Sequence, residues 1–326
     1  MTTVHDDLPH PIPAFAHLRY KENYFFIVIA KDAGVFGVVH LNHEPAFDRA
    51  RYTANLCVAG KFYLYSNTTS FPKDFAYSRQ IGDGRLQLAF TKPHAQFDLT
   101  LKTDDIDLNC RFTAAQPTFD YGACRTAGGP RVSFQELMTL GTNLQYDHQQ
   151  QALHTSGSIT VAATGKTTSF SGAGYRDHSW VMRADNLSAQ HTWCGFVFPN
   201  TAFGAKILET LPRPGVWARE GYVADRNGVR ALRSLETRNE GGLTSDGLPR
   251  ILVHELVDVF GVIFTIESDI GNRLAHVPLV SEAPGGRSLY QIVENFCAST
   301  LRETGEKGVS LVEIGRAASI GGPFAY

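Results

Sequence analysis

The sequence predicts a mostly-β protein of two domains, and three observations carry that reading. Short apolar runs with period-two alternation recur along the chain, turn residues separate them at the spacing of antiparallel sheet, and sustained helical periodicity is missing. The length of 326 residues suits two domains that each bury their own core.

Taken in order, Met1 to Pro13 is polar, carries Asp6 and Asp7, and has no apolar stretch, so it does not read as a signal peptide and a cytoplasmic location is expected. Tyr24 to Ile29 and Val35 to Leu41 flank Lys31-Asp32-Ala33-Gly34 as the arms of a hairpin do. Asp83-Gly84 introduces Leu86, Leu88 and Phe90 in strict alternation, which predicts a strand after a turn. Ser133 to Leu144 is the best candidate for a helical turn, with Gly141 and two threonines opposing a longer helix. The polar interval Ala184 to Gln190 is the expected domain boundary. Beyond it, Asn227-Gly228 marks a tight turn before Val229, and Leu289 to Thr300 and Val309 to Arg316 read as two strands around Glu303 to Gly308.

Composition excludes several function classes. A net charge of −2 without runs of like charge gives no basic surface for nucleic acid. No segment approaches the roughly 20 uninterrupted apolar residues of a membrane-spanning helix. Five widely spaced cysteines do not form a disulfide framework. Thr164-Gly165-Lys166-Thr167 lacks the earlier glycine of a phosphate loop, and there is no H-E-x-x-H, no G-x-S-x-G and no dinucleotide fingerprint that opens a helix. Asp177, His178 and His191 could in principle approach one another, but the spacing does not support a metal site, and no cofactor is expected. The aromatics, 21 Phe, 12 Tyr and 3 Trp, suit walls around an apolar ligand as well as two cores.

Chemistry concentrates in Gly172-Ala173-Gly174-Tyr175-Arg176-Asp177-His178-Ser179-Trp180-Val181-Met182-Arg183. Its glycines and the β-type residues around it predict an extended segment, whose alternate side chains point to opposite faces. Tyr175, Asp177 and Ser179 then share one face, and Arg176, His178 and Trp180 the other. One pocket cannot use both faces unless a bulge intervenes. The plain alternative to acid–base chemistry is a structural knot, with Asp177 paired to an arginine and Trp180 in a core.

The string G-x-G-Y-R-D-H-S-W-x-x-R resembles the signature of the superfamily that includes carotenoid 1,2-hydratase (hydroxyneurosporene synthase), the AttH-like proteins and kievitone hydratase. Similarity extends through Tyr146-Asp147-His148-Gln149 to Gly157-Ser158-Ile159, and to Gly308-Val309-Ser310-Leu311-Val312-Glu313. The resemblance implies two tandem lipocalin-like antiparallel β-barrel domains, residues 1–183 ending in the signature and residues 184–326 after it. One departure is Val181, where the family often has glycine, and it bears on cavity shape and substrate more than on fold. The resemblance also implies a cofactor-independent hydratase or dehydratase, a lyase that adds water across a prenyl-type double bond or removes it. Fungal relatives of Diels–Alderase type imply an alternative, an isomerase or cyclase that holds a folded substrate. A non-catalytic carrier of a hydrophobe suits the same fold.

Protonating an isolated alkene calls for a carboxylic acid kept neutral by burial, and the cation that follows calls for aromatic faces and a delivered water. Asp177 fits the donor and Tyr175 its neighbour, and the Tyr-x-Asp spacing matches the place where the resembling hydratases carry their acid. A guanidinium of Arg176 or Arg183 beside Asp177 would instead favour the carboxylate and make it a base, with an arginine or His178 stabilising an enolate or a leaving hydroxyl. The catalytic candidates are therefore Asp177, Tyr175, His178 and Arg176. Trp180, Arg183, His148, Trp193, Glu294 and Glu313 are candidates for contact with substrate. Structural alternatives are His148 in a turn, Trp193 in a core, and Glu294 and Glu313 as strand residues facing water. The expected partner is a hydrophobic small molecule of isoprenoid, polyketide or aromatic type.

Overall fold

The alternation read from the sequence becomes antiparallel strands in a computed structural model, which describes residues 3–14, 20–125, 127, 132–139, 146–182, 188–282 and 288–317. In order they are β1 (Tyr20–Ala30), β2 (Val35–Glu44), β3 (Arg49–Val58), β4 (Lys61–Thr69), β5 (Gln80–Gly82), β6 (Leu86–Lys92), β7 (Gln96–Lys102), β8 (Ile106–Ala114) and β9 (Phe119–Asp120). A short helix α1 (Phe134–Met138) precedes β10 (Tyr146–Val161) and β11 (Lys166–Met182). Then come β12 (Ser188–Val197), β13 (Ala202–Thr210), β14 (Arg213–Asp225), β15 (Gly228–Leu243), β16 (Pro249–Asp258), β17 (Ile263–Asp269), β18 (Ala275–Glu282), β19 (Ser288–Leu301) and β20 (Glu306–Ala317).

The strands form two compact units, Met1–Asp120 with Leu144–Arg183, and Tyr121–Asn143 with Ala184–Tyr326. In the first, the sheet runs β4-β3-β2-β1-β11-β10-β8-β7-β6-β5, with β9 paired to β10, and curls into a half-barrel. In the second, β17-β16-β15-β14-β13-β12-β20-β19 closes on itself through the β17–β19 pairing, which makes an eight-strand barrel with β18 added to β19. The sequence reading kept 121–143 with the first domain, whereas the structure groups it with the second. The reason is local: Tyr121 lies edge-on to Tyr222, the Cys124 thiol donates to the Gly221 carbonyl, and the Phe134 amide donates to Glu220 at 2.9 Å.

The hairpins read at Lys31 to Gly34, Asn227-Gly228 and Glu303 to Gly308 are all present, as is the strand after Asp83-Gly84. The helical turn is shorter than the sequence window. Ser133 caps it by accepting from the Glu136 amide, and it ends at Met138, with 140–145 outside the described residues.

Two sets of strands are buried on both faces, and this matters most for function. β1 and β2 are nearly continuous in burial, as is the first half of β10, and β13 is buried throughout. By contrast β7 and β8 alternate, as a sheet with one solvated face should. In the first unit the core face carries Tyr24, Phe26 and Val28 of β1, which oppose His178, Arg176 and Gly174 of β11. The other face of the same strands carries polar groups although it too is buried. Buried polar groups need partners, so this second face is where chemistry should be sought.

Candidate functional site

The signature forms the second half of β11. Its glycines serve packing: a Cβ on Gly172 would sit 2.4 Å from the Ile29 carbonyl oxygen, and one on Gly174 would meet Phe112 at 3.0 Å and Ile27 and Leu153 at 3.3 Å. From Gly174 to Trp180 the pairing with β1 and β10 keeps its register without a bulge. Tyr175 and Asp177 therefore lie on one face and Arg176, His178 and Trp180 on the other, and the four catalytic candidates do not converge on one pocket.

On the face away from the core, Asp177 pairs across the strands with Gln150 of β10 and lies diagonal to His148, two residues before Gln150. The Nε2 atom of His148 contacts Asp177 Oδ2, and the Gln150 amide nitrogen donates to the same oxygen at 3.2 Å. Gln150 turns its own amide oxygen to the Tyr175 hydroxyl, which donates at 3.2 Å. A continuous polar chain thus runs from Tyr175 through Gln150 to Asp177 and His148. Tyr175 and Gln150 are fully buried and the His148 side chain is 3% exposed, while Asp177, at 14%, is the most open member. His148 stands in a strand and not in a turn, so its structural alternative does not apply.

The core face holds two different networks. Arg176, 1% exposed, donates to Asp7 at 2.5 Å, to Gln151 at 2.8 Å and to Thr118 at 3.1 Å, with its guanidinium 4.7 Å above the Phe97 ring. Burial alone would raise the Asp7 pKa, but Arg176 and His94 outweigh it and hold it low. The expectation that Arg176 sits beside Asp177 is therefore corrected, because strand alternation sends it to the opposite face. Arg183 lies outside the described residues.

His178 belongs to a second carboxylate, Glu22 of β1. Glu22 is fully buried and accepts from His178 Nε2 at 2.9 Å, Tyr24 at 2.9 Å, Tyr20 at 3.0 Å, His10 Nδ1 at 2.8 Å and the His10 amide. Burial works to raise the Glu22 pKa, yet bonds from His10 and His178 bring it down to about 2. Burial also pushes the His178 pKa down against the pull of Glu22. His178 is then a neutral ring that donates from Nε2, with an Nδ1 that has no partner among the described residues. Trp180 stacks on His10 with centroids 4.2 Å apart. The Asp177-His178 doublet thus supplies the acid of one carboxylate–imidazole pair and the imidazole of another, back to back across one strand.

His10, Glu22 and His178 offer possible metal-ligand atoms that all lie within 4.8 Å of one another. An anionic carboxylate and a neutral His178 are the forms a zinc ion binds. However, hydroxyl and imidazole donors already satisfy Glu22, and His178 Nδ1 lacks the acceptor that metal-bound histidines hold. The cluster is accounted for as a hydrogen-bonded hub.

In the second unit, Trp193, Glu313 and Glu294 stand side by side on β12, β20 and β19. They face away from the core that contains Cys194 and Val312. Glu313 contacts His191 Nε2, and His191 Nδ1 lies 2.6 Å from the Tyr290 hydroxyl, with the two rings stacked at an interplanar angle of 4°. Trp193 is buried on this second face, not in the core, and Glu294 is fully buried instead of facing water. Burial, and then the neighbouring Glu313, push the Glu294 pKa far up.

Sequence pattern alone does not single out Gln150, Glu22 or Asp7. The available signal was the run Gln149-Gln150-Gln151 inside a strand and a glutamate at the head of the apolar run of β1.

With this geometry in view, the comparisons with known proteins are informative about fold. The model of a family described as a domain of unknown function, DUF7064, matches residues 3–318. The chain belongs to that family. No curated protein matches the sequence. Among solved structures, one assigned as AttH from Nitrosomonas europaea is similar at 12% identity and a TM-score of 0.63, covering 91% of this chain and 92% of that one. Kievitone hydratase from Nectria haematococca is similar at 15% identity and 0.59, covering 92% and 89%. CghA, solved with Sch210972, is similar at 11% identity and 0.57, covering 95% and 94%. These are the kinds of protein whose signature the sequence resembles, and the tandem lipocalin-like β architecture is shared along nearly the whole chain.

Proposed function

We propose that this DUF7064 protein is a cofactor-independent hydratase or dehydratase of an apolar isoprenoid-, polyketide- or aromatic-type molecule. The observation that carries the reading is the buried chain Tyr175–Gln150–Asp177–His148, in which a carboxyl and an imidazole meet and Asp177 is the most open member. In the hydration direction, the Asp177–His148 pair delivers its proton to one alkene carbon. Water then adds to the cationic neighbour and returns a proton to the pair, so that alkene and water become alcohol with the site unchanged. Dehydration is the reverse. Gln150 fixes the Asp177 oxygen, Tyr175 fixes Gln150, and both strands are hydrogen-bonded to neighbours on either side, so little reorganisation accompanies the transfer. The likeness to kievitone hydratase supports the reading at the level of fold.

The test is mass spectrometry of kievitone and of lipophilic extracts incubated with wild type and with Asp177→Asn, after circular dichroism shows that both fold alike. Gain or loss of the mass of one water by wild type alone supports the proposal. An isobaric product made by both proteins points to an isomerase or cyclase, and retention of an unchanged compound by both points to a carrier; either overturns it.

A further inference from the structure

The second unit carries a carboxyl pair of its own. Glu294 and Glu313 are directly opposed on β19 and β20 and point to the same buried face. Like charges in that position repel, and a buried carboxylate without donors bears its full desolvation cost. Glu313 has a cationic or neutral imidazole at hand in His191, backed by Tyr290. Glu294 has none: neither of its oxygens meets a donor among the described residues apart from the neighbouring carboxyl of Glu313, and its side chain is fully buried. Two carboxyl groups can bond to each other only if one of them keeps its proton.

We infer that Glu294 and Glu313 form a single-proton site, in which Glu294 is the neutral carboxylic acid: its one O–H is held by Glu313 at rest and turns to a neutral ligand oxygen as a hydrogen-bond and proton donor when one is bound. The assignment follows from position. Glu313 keeps the negative charge because His191 faces it, and Glu294 keeps the proton because, among the described residues, no cation faces it from β18, β19 or β20. Its cross-strand neighbour on β18 is Val277, and the described titratable groups on its face include Glu313, His191 and Tyr290, with the buried Lys206–Glu220 pair further along the same row, beyond Trp193 on β13 and β14. A donor O–H suits a ketone, ether or hydroxyl oxygen. The adjacent Glu313 charge repels carboxylates and phosphates, which restricts the ligand to uncharged oxygenated molecules. The site stands on its own geometry and does not depend on the hydratase reading.

Infrared spectroscopy tests it without any turnover. Wild type at neutral pH should show a protonated-carboxyl C=O band that shifts in deuterium oxide, and Glu294→Gln should lose it while Glu136→Gln, at an exposed position, keeps it. Camphor, a neutral apolar ketone, should move the band, and decanoate should not. A second reading guards against misfolding. Because the proton is bound more tightly in the folded state, wild type should lose stability as pH rises above the ordinary glutamate range, and Glu294→Gln should flatten that loss. Absence of the band from wild type, its survival in Glu294→Gln, or its response to decanoate and not camphor would overturn the inference.

Discussion

Replacing Glu22 by glutamine removes one charge from the centre of the first unit while keeping the shape of the side chain. The folded-state pKa lies at about 2, against an ordinary value of 4.5, and each unit is worth about 1.4 kcal/mol. The ionised form therefore contributes on the order of 3 kcal/mol at neutral pH, a large share of the roughly 5–15 kcal/mol that holds a typical domain together. The sign follows from the depressed pKa: the contribution is complete above pH 4.5 and is lost as pH falls through about 2. Glutamine also turns an amide N–H toward tyrosine and histidine donors, which adds to the loss. Hydrogen exchange followed by mass spectrometry on peptides from β1 and β11 reads the effect where it arises. At pH 7 the variant should lose protection about a hundredfold, and the gap from wild type should close between pH 4.5 and 2. Equal protection at pH 7, or a gap that stays constant across the acid range, would refute the hub as an ionised carboxylate.

Asp7→Asn leaves the Arg176 guanidinium buried without its counter-charge and should cost roughly 3–5 kcal/mol, read as a lowered thermal midpoint. An unchanged midpoint would contradict the pairing. Gly315→Ala places a Cβ 2.2 Å from the His191 ring, so the imidazole must move, and histidine ring NMR signals should report loss of its bond to Tyr290. His254, enclosed in the second core, has its pKa pushed by burial down to about 3 from 6.5. Its neutral form supports folding above pH 6.5 and that support is lost as pH falls toward 3, so His254→Gln should be less acid-sensitive than wild type in urea titrations.

The fold was legible because its signals are local. Asp83-Gly84, Asn227-Gly228 and the alternating residues of the signature determine turns and faces from neighbours in the chain. The two-face burial of β11 was legible only in part: alternation assigned Tyr175 with Asp177 and Arg176 with His178, but not what each face would meet. Those partners come from afar, as the His178–Glu22 bond joins residues 156 positions apart. Gln150 carries no signal in the sequence for the same reason, since a glutamine acquires a role only when strand pairing sets it opposite Asp177. Glu294 and Glu313 were readable as candidates but not as a buried pair, because exposure on a strand's second face depends on tertiary packing and not on period.

The most direct test of the account is turnover in oxygen-labelled water by wild type, Asp177→Asn and His148→Gln, with fold verified for each. The account predicts that wild type forms an alcohol bearing the solvent oxygen and that neither variant forms it. A product without the label, or labelled alcohol formed equally by Asp177→Asn, would contradict water chemistry at the Asp177–His148 pair.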